Sequence, residues 1–307
     1  MKKFLIATAI IFTSTVFANN LPIKILVPFA PGGPADRIAR LVQKDLKDAG
    51  RVSVVDNRPG GGGEIAANVL NQTPKSETVL MIIGTALTIA TKPTTYDKID
   101  LQPVVEIGHA PMVIAVPGSS NIKSFKDFLN INSGQSITYA NAGKSSLSYF
   151  AGEALRHNTN KNLVAVSYPN APKMMIDLLT GRVDLGVMHV IDVLPYLDQQ
   201  KLIPIALLTE NRMPEFPSVP TVREFGIQDS VMSSHYVLFS NATNNVDDIV
   251  FVQQTLTRVL NDSTLSKPYR DEGLRIAPGN KALDKNWLVR ETQRIRDTAK
   301  RINLQNE

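Results

Sequence analysis

From Lys24 to Arg301, short apolar runs alternate with amphipathic stretches, and this alternation limits what the chain can fold into. The runs that read as strands are Lys24–Val27, Val52–Val55, Val79–Ile83, Val113–Val116, Ser136–Ala140, Leu163–Ser167, Val183–Met188, Ile203–Leu208 and Tyr236–Ser240. The helical patterns are Ala35–Ala49, Glu64–Gln72, Phe125–Asn130, Ser146–Arg156, Ala171–Thr180, Val246–Leu260 and Lys281–Arg301. Strands punctuated by helices in this way predict parallel sheets with helices on both faces. Ser124 with Asp127 three residues on resembles a capping box, and Gly181 stands where a helix C-cap glycine belongs. There is no internal repeat, and the Pro214–Pro220 stretch reads as an ordered surface connection.

Three strand-to-helix junctions share one chemistry. In VPFAPGGPADRIARLV, a strand runs through Gly32 and Gly33 into a helix with Ile38, Leu41, Val42 and Leu46 on one face. Gly84 and Thr85 end a second apolar strand, and Ala140-Asn141-Ala142-Gly143 leaves a third before Lys144-Ser145-Ser146 opens a helix. The first turn of a helix leaves backbone N–H groups unpaired and carries partial positive charge, so such turns hold anions. In doubly wound sheets, ligands bind outside the carboxyl ends of the strands, where all three junctions lie. A phosphate, a dinucleotide and a carboxylate are the candidates. Pro34 suits a first helical position, and Asp36 just beyond it reads as a helix-start residue bonding backbone N–H groups.

Rival chemistries lack their residues. Neither glycine cluster ends in the Gly-Lys-Ser/Thr of a phosphate loop. Gly61, Gly63 and Ala66 match a dinucleotide pattern, but Asn57-Arg58-Pro59 separates them from their strand. Ser120 and Lys123 have Ser-x-x-Lys spacing with no Lys-Thr-Gly after it, and neither G-x-S-x-G nor H-E-x-x-H occurs. His109, His157, His189 and His235 are widely spaced, and without cysteine a zinc site requires them to converge, so no metal is expected. Asp184 reads as a turn or strand-edge residue, and nothing pairs it with Asp192 as acid and base.

The chain opens MKKFLIATAIIFTSTVFANN, with Lys2 and Lys3 before an apolar run that ends in Val16-Phe17-Ala18. This is the pattern of a secretory signal peptide cleaved after Ala18, and it predicts a periplasmic protein. With no cysteine, the sequence offers neither a disulfide framework nor a lipidation site after the signal. The formal net charge is +5, of which Lys2 and Lys3 supply two, and no basic–aromatic stripe suggests nucleic acid. Acids interleave the basic residues of the last helix, which reads as a solvated face.

In order, VPFAPGGPADRIAR, VVDNRPGGGGEIAA, YANAGKSSLSYFAGEAL, VSYPNAPKMMIDLLTGRVDLGV and PIALLTENRMPEFPSVPTVREFG resemble the substrate-binding proteins of tripartite tricarboxylate transporters, the Bug receptors. The resemblance spans nearly the whole mature chain. It implies two doubly wound α/β domains with a central ligand cleft, a periplasmic binding protein of type II-like fold. It also implies a monomeric receptor without catalysis or cofactor, which delivers a small carboxylate to a membrane permease. Carried over by motif, the first ligand loop runs from Phe29 through Gly32 and Gly33 to Asp36, and the next includes Gly84, Thr85 and Ala86. The second-domain loop is Asn141, Ala142, Gly143, Lys144, Ser145 and Ser146. Lys144 is placed to meet a distal carboxylate of a dicarboxylic ligand, although it also reads as a solvent-facing side chain. The implied division is residues 19–117 plus 235–307 for domain 1 and 118–234 for domain 2, with crossings near Val113–Pro117 and Ser234–Ser240. Two departures bear on ligand identity: Pro74-Lys75-Ser76-Glu77-Thr78 replaces the family's Pro-Asp-Gly-Tyr-Thr, and His235 or Tyr236 replaces a tryptophan near the second crossing. The alternative function is a periplasmic sensor component or enzyme that has kept the receptor fold.

Overall fold

The computed structural model describes residues 21–83, 101–144, 146–169, 171–227, 230–241, 244–276 and 285–304. The expected signal peptide lies outside them. Strands β1 (Ile23–Val27), β2 (Ser53–Asn57) and β3 (Val79–Ile83) form a parallel group in the order β2-β1-β3, with α1 (Pro34–Asp48) and α2 (Glu64–Asn71) as the crossovers. Successive side chains of a strand face opposite ways, and the cores follow that period. Ile23, Ile25 and Val27 of β1 are buried with Ile38 and Val42 of α1, whereas Leu26 is buried with Ala66 and Leu70 of α2. Strands buried on both faces read as continuous apolar runs, which is why β3 is VLMII.

The strand expected at Val113–Val116 is the end of a much longer one, β4 (Leu101–Pro117). Pro103 and Pro111 hide it in the sequence, because a residue without an N–H argues against a central strand. The structure accommodates Pro103 beside one shift of register, with another between Glu106 and Gly108. Pro111 is the last residue of β4 to pair with β9 (Ser233–Asn241); from Met112 onward, β4 pairs with β7 (Leu185–His189) and β8 (Leu202–Leu207). The chain therefore crosses between two lobes without leaving the strand.

The second lobe repeats the plan. Parallel strands β5 (Ile137–Asn141), β6 (Leu163–Ser167) and β7 alternate with α4 (Leu147–Thr159) and α5 (Ala171–Leu179), and the short α6 (Val190–Val193) follows β7. It is entered through α3 (Phe125–Asn130), capped as expected by Ser124 Oγ, which accepts the Asp127 N–H at 3.1 Å. β4, β8 and β9 run antiparallel to their partners, so both sheets are mixed rather than wholly parallel. The last strand, β9, returns to the first lobe between β3 and β4, followed by α7 (Val246–Asn261) and α8 (Lys267–Asp271). The final helix, α9 (Lys285–Arg301), does not stay there. Its Ile295 and Ala299, with Ile302 beyond it, belong to the same buried cluster as Phe125, Phe128 and Leu155, so α9 packs on the second lobe although the division drawn from the sequence puts it with the first. Among the described residues, no helix is long and apolar enough to cross a membrane.

Candidate functional site

The first loop is held by a carboxylate. Asp36, in the first turn of α1, is 2% exposed. Its Oδ2 accepts the Gly32 N–H at 3.0 Å and Arg40 Nε at 2.9 Å, and its Oδ1 accepts Arg40 Nη2 at 3.1 Å and Asn57 Nδ2 at 3.0 Å. Four donors occupy the acceptor positions of an ionised carboxylate. Asp36 is accordingly a residue that fixes the loop, and its own oxygens are spent inside the protein. Burial opposes its charge, but the bonds from Arg40, the Gly32 N–H and Asn57 overcome that, and its pKa lies below the ordinary aspartate value.

Asn57 and the two arginines carry no motif of their own, and sequence reasoning passed over them as site residues. Asn57 ends β2 directly beside Val27, so its Nδ2 also reaches the Phe29 carbonyl at 3.1 Å. Arg37 donates to the Gly32 carbonyl at 3.1 Å and pairs with Glu272 at 2.7 Å. Gly32 has φ +85°, a left-handed conformation that glycine adopts without strain. Between these ties, α1 begins with no side-chain cap: Gly33 is the N-cap and Pro34 occupies the first turn. Among the described residues no side chain takes up the N–H groups of that turn, which are open to water or to a ligand. Phe29 is 39% exposed at the mouth of the loop.

The second loop is built differently. Asn141, the last residue of β5, is fully buried, and its Oδ1 accepts the Gly143 N–H and Ser167 Oγ, each at 3.0 Å. Ser146 caps α4 by accepting the Tyr149 N–H at 3.2 Å, and its hydroxyl donates to the Gly143 carbonyl at 2.6 Å. Ser148 accepts the Ala142 N–H at 2.9 Å and lies 2.8 Å from Ser146 Oγ. The result is a closed ring of bonds that leaves Ala142 and Lys144 exposed at the loop's tip. Gly143 has φ +102°, so only glycine fits the turn without strain. Ser148 and Ser167 were not anticipated, although Ser148 lies within the YANAGKSSLSYF motif. Of the remaining candidates, Gly84, Thr85, Ala86 and Ser145 lie outside the described residues.

A further polar group stands at the end of β7, which runs parallel to β5. His189 Nδ1 lies 3.7 Å from Asp192 Oδ2, while its Nε2 is buried and without a hydrogen-bond partner among the described residues. Asp192 acts electrostatically across the lobes on buried Tyr236 of β9, whose hydroxyl pKa is pushed up by burial first and by Asp192 second. Two other histidines, far apart in the sequence, do converge: His109 and His235 are cross-strand partners on β4 and β9, with ring centroids 5.5 Å apart. Burial, then His235, holds His109 below the usual histidine range against the opposing pull of Glu106.

The two cavities that stand out among the described residues lie away from the strand-end loops. One of about 420 Å³ is lined by Pro117, Ser120 and Gly181. The other, of about 290 Å³, is lined by His109, Ser233 and Arg275.

Gly33 offers the cleanest test of the first loop. Its φ of −76° and ψ of 171° are open to any residue, and an added Cβ meets nothing closer than the Ala30 carbonyl oxygen at 3.6 Å. Gly33→Val is therefore expected to cost only what a poorer N-cap costs, about 1 kcal/mol. If an anion sits on the first turn of α1, the same change weakens it by roughly tenfold or more, the worth of one hydrogen bond to a charged group. Chemical denaturation and a carboxylate titration check the two halves, and an unchanged affinity removes Gly33 from the site. Gly143→Val is the less selective probe, because its positive φ makes any side chain costly there.

The family model described as the tripartite tricarboxylate transporter family receptor matches residues 38–303. The chain is 28% identical over 280 residues to a UPF0065 protein of Bordetella bronchiseptica, covering 89% of this chain and 83% of that one. In fold it is similar to Rpa4515 of R. palustris, solved with adipate, at a TM-score of 0.84 and 24% identity over 92% of this chain and 97% of that one. It is likewise similar to MatC of Rhodopseudomonas palustris, solved with bound malate, at 0.78 and 23% over 90% and 98%. With a family match extending from α1 to beyond α9, the chain belongs to the tripartite tricarboxylate transporter receptor family.

Proposed function

We propose that this protein is a non-catalytic periplasmic receptor that binds a small carboxylate between its lobes and hands it to a membrane permease. The observation that carries the reading is the start of α1, a helix with no side-chain cap whose loop is braced from behind by buried Asp36. That arrangement presents backbone N–H groups and the positive end of the helix dipole to an anion, while the nearest carboxylate is turned away and neutralised by Arg40. Family membership supports the receptor role, and the adipate and malate held by two proteins of the same fold support a carboxylate as the ligand. The amino-terminal MKKFLIATAIIFTSTVFA supports export, with cleavage after Ala18. Phe29, Gly32, Gly33 and the 141–146 loop form the contacts in this reading, joined by the 84–86 segment, and Lys144 is positioned for a second carboxylate.

If both lobes contact one small acid, only the closed form makes every contact, and binding shifts the population toward it. The experiment begins with native mass spectrometry of protein purified without added ligand, in buffer free of citrate and acetate, and identifies the acid released. Adding that acid back is expected to contract the particle in small-angle scattering and to stabilise it by about 2.7 kcal/mol at one hundred times the dissociation constant. Stabilisation without contraction confines the ligand to one lobe. Chemical turnover of the acid overturns the receptor reading.

A further inference from the structure

We propose that Glu106, His109 and His235 form a divalent transition-metal site, of the kind that takes zinc, on the paired strands where the chain crosses between its lobes. One ligand atom from each residue can be chosen so that no two lie more than 4.8 Å apart. His109 faces His235 directly across the β4–β9 ladder, and Glu106 stands three residues before His109 on the same strand. Two imidazoles with one carboxylate is a donor set that zinc accepts, leaving a further position for water.

His235 Nδ1 and Glu106 Oε1 are now 2.7 Å apart, sharing a hydrogen. A zinc ion takes that hydrogen's place. Tetrahedral ligands on bonds of about 2.0–2.1 Å stand roughly 3.3 Å apart, so the pair opens by about 0.6 Å from its present 2.7 Å, and the wider gap to His109 closes as its ring turns. The ion has a route in: His109 lines the cavity of about 290 Å³ together with Ser233, Thr209 and Glu210. The neighbouring cation Arg275, joined to His109 by a pair of backbone hydrogen bonds, is ion-paired with Glu215, which offsets its repulsion of an incoming ion. A site here also has a mechanical meaning. It pins β4 to β9 within three residues of Met112, where β4 exchanges β9 for its second-lobe partners.

The test does not depend on the carboxylate reading, because it uses zinc alone in a carboxylate-free buffer. The protein, carrying no histidine tag, is stripped with EDTA, dialysed and titrated with zinc chloride by calorimetry and thermal unfolding. One zinc per chain and a raised melting temperature are expected. His109→Gln and His235→Gln are each expected to weaken binding by at least the roughly 10–100-fold that loss of a mere outer-shell partner costs. His157→Gln, in α4, should bind as wild type does. Failure of wild type to bind one zinc, or unchanged affinity in both crossing-site variants, overturns the proposal. Should those variants not fold, diethyl pyrocarbonate labelling of wild type decides: zinc must protect His109 and His235 but leave His157 reactive, and protection of neither overturns the site.

Discussion

Asp36→Asn is expected to destabilise the protein by about 2–3 kcal/mol and to weaken carboxylate binding at least tenfold, a large combined effect for an almost isosteric change. Each carboxylate oxygen of Asp36 accepts two donors, so whichever way the asparagine amide is turned, its NH₂ faces two N–H groups that lose that acceptor. The cost is that of charge-assisted bonds lost at the buried Asp36, and it falls on Gly32 or on Asn57, which together shape the loop at the mouth of α1. Acid should imitate the substitution. The folded pKa of Asp36 is lowered, so its contribution to stability is complete above the unfolded value of about 3.9 and is lost as pH falls through the folded pKa. Denaturant midpoints at neutral pH and near pH 3 measure both. A variant as stable as wild type at neutral pH would show that Asp36 does not brace the loop.

Gly152→Ala sets two effects of opposite sign against each other. Glycine inside a helix costs about 1 kcal/mol relative to alanine, so propensity alone predicts a gain in α4. Packing predicts the reverse. A Cβ at Gly152 would stand 2.1 Å from Tyr139 Cε2 and 2.5 Å from Cζ, within the ring of a fully buried side chain. Tyr139 cannot swing aside cheaply, because its hydroxyl donates to Glu153 Oε1 at 2.7 Å and Glu153 is in turn paired with Arg156. Overpacking of this severity costs about 3 kcal/mol, leaving a net loss of about 2 kcal/mol. Chemical denaturation reads it, and a variant of equal or greater stability would mean that the ring relaxes freely. Because Tyr139 lies two residues before Asn141 on β5, the same variant should also disturb the second loop, which is absent from a purely local effect.

Both mutations act on features that differ in how far the sequence displays them. The strand-turn-helix at Val27 to Val42 is legible because its signals are local: an apolar run, a glycine pair, a proline at the first turn and an amphipathic face. The second loop is legible for the same reason, down to Gly143 and Ser146. What braces these loops is not. Asn57 reaches Asp36 only because β2 pairs with β1 in one register, and Ser167 reaches Asn141 only because β6 lies beside β5. Such partners are chosen by sheet order, which no window of sequence contains. The same holds for His109 and His235, whose separation in the chain argued against a shared site until β4 and β9 brought them face to face. β4 itself was foreshortened because Pro103 and Pro111 mask a strand that bulges and changes partners at those points. The last helix was assigned to the wrong neighbour for a related reason: Ile295, Ala299 and Ile302 announce an apolar stripe but not the surface it covers.

The order of the strands also dictates when the molecule can fold. In the first lobe, among the described residues, β9 lies between β3 and the opening half of β4 and pairs with both, so without β9 the facing edges of those two strands lack this partner. Those edges wait until the chain has run through β5 to β8 of the second lobe to Ser233–Asn241. Pairings of such long sequence separation make for slow folding, because a large loop must be closed before the contacts repay it.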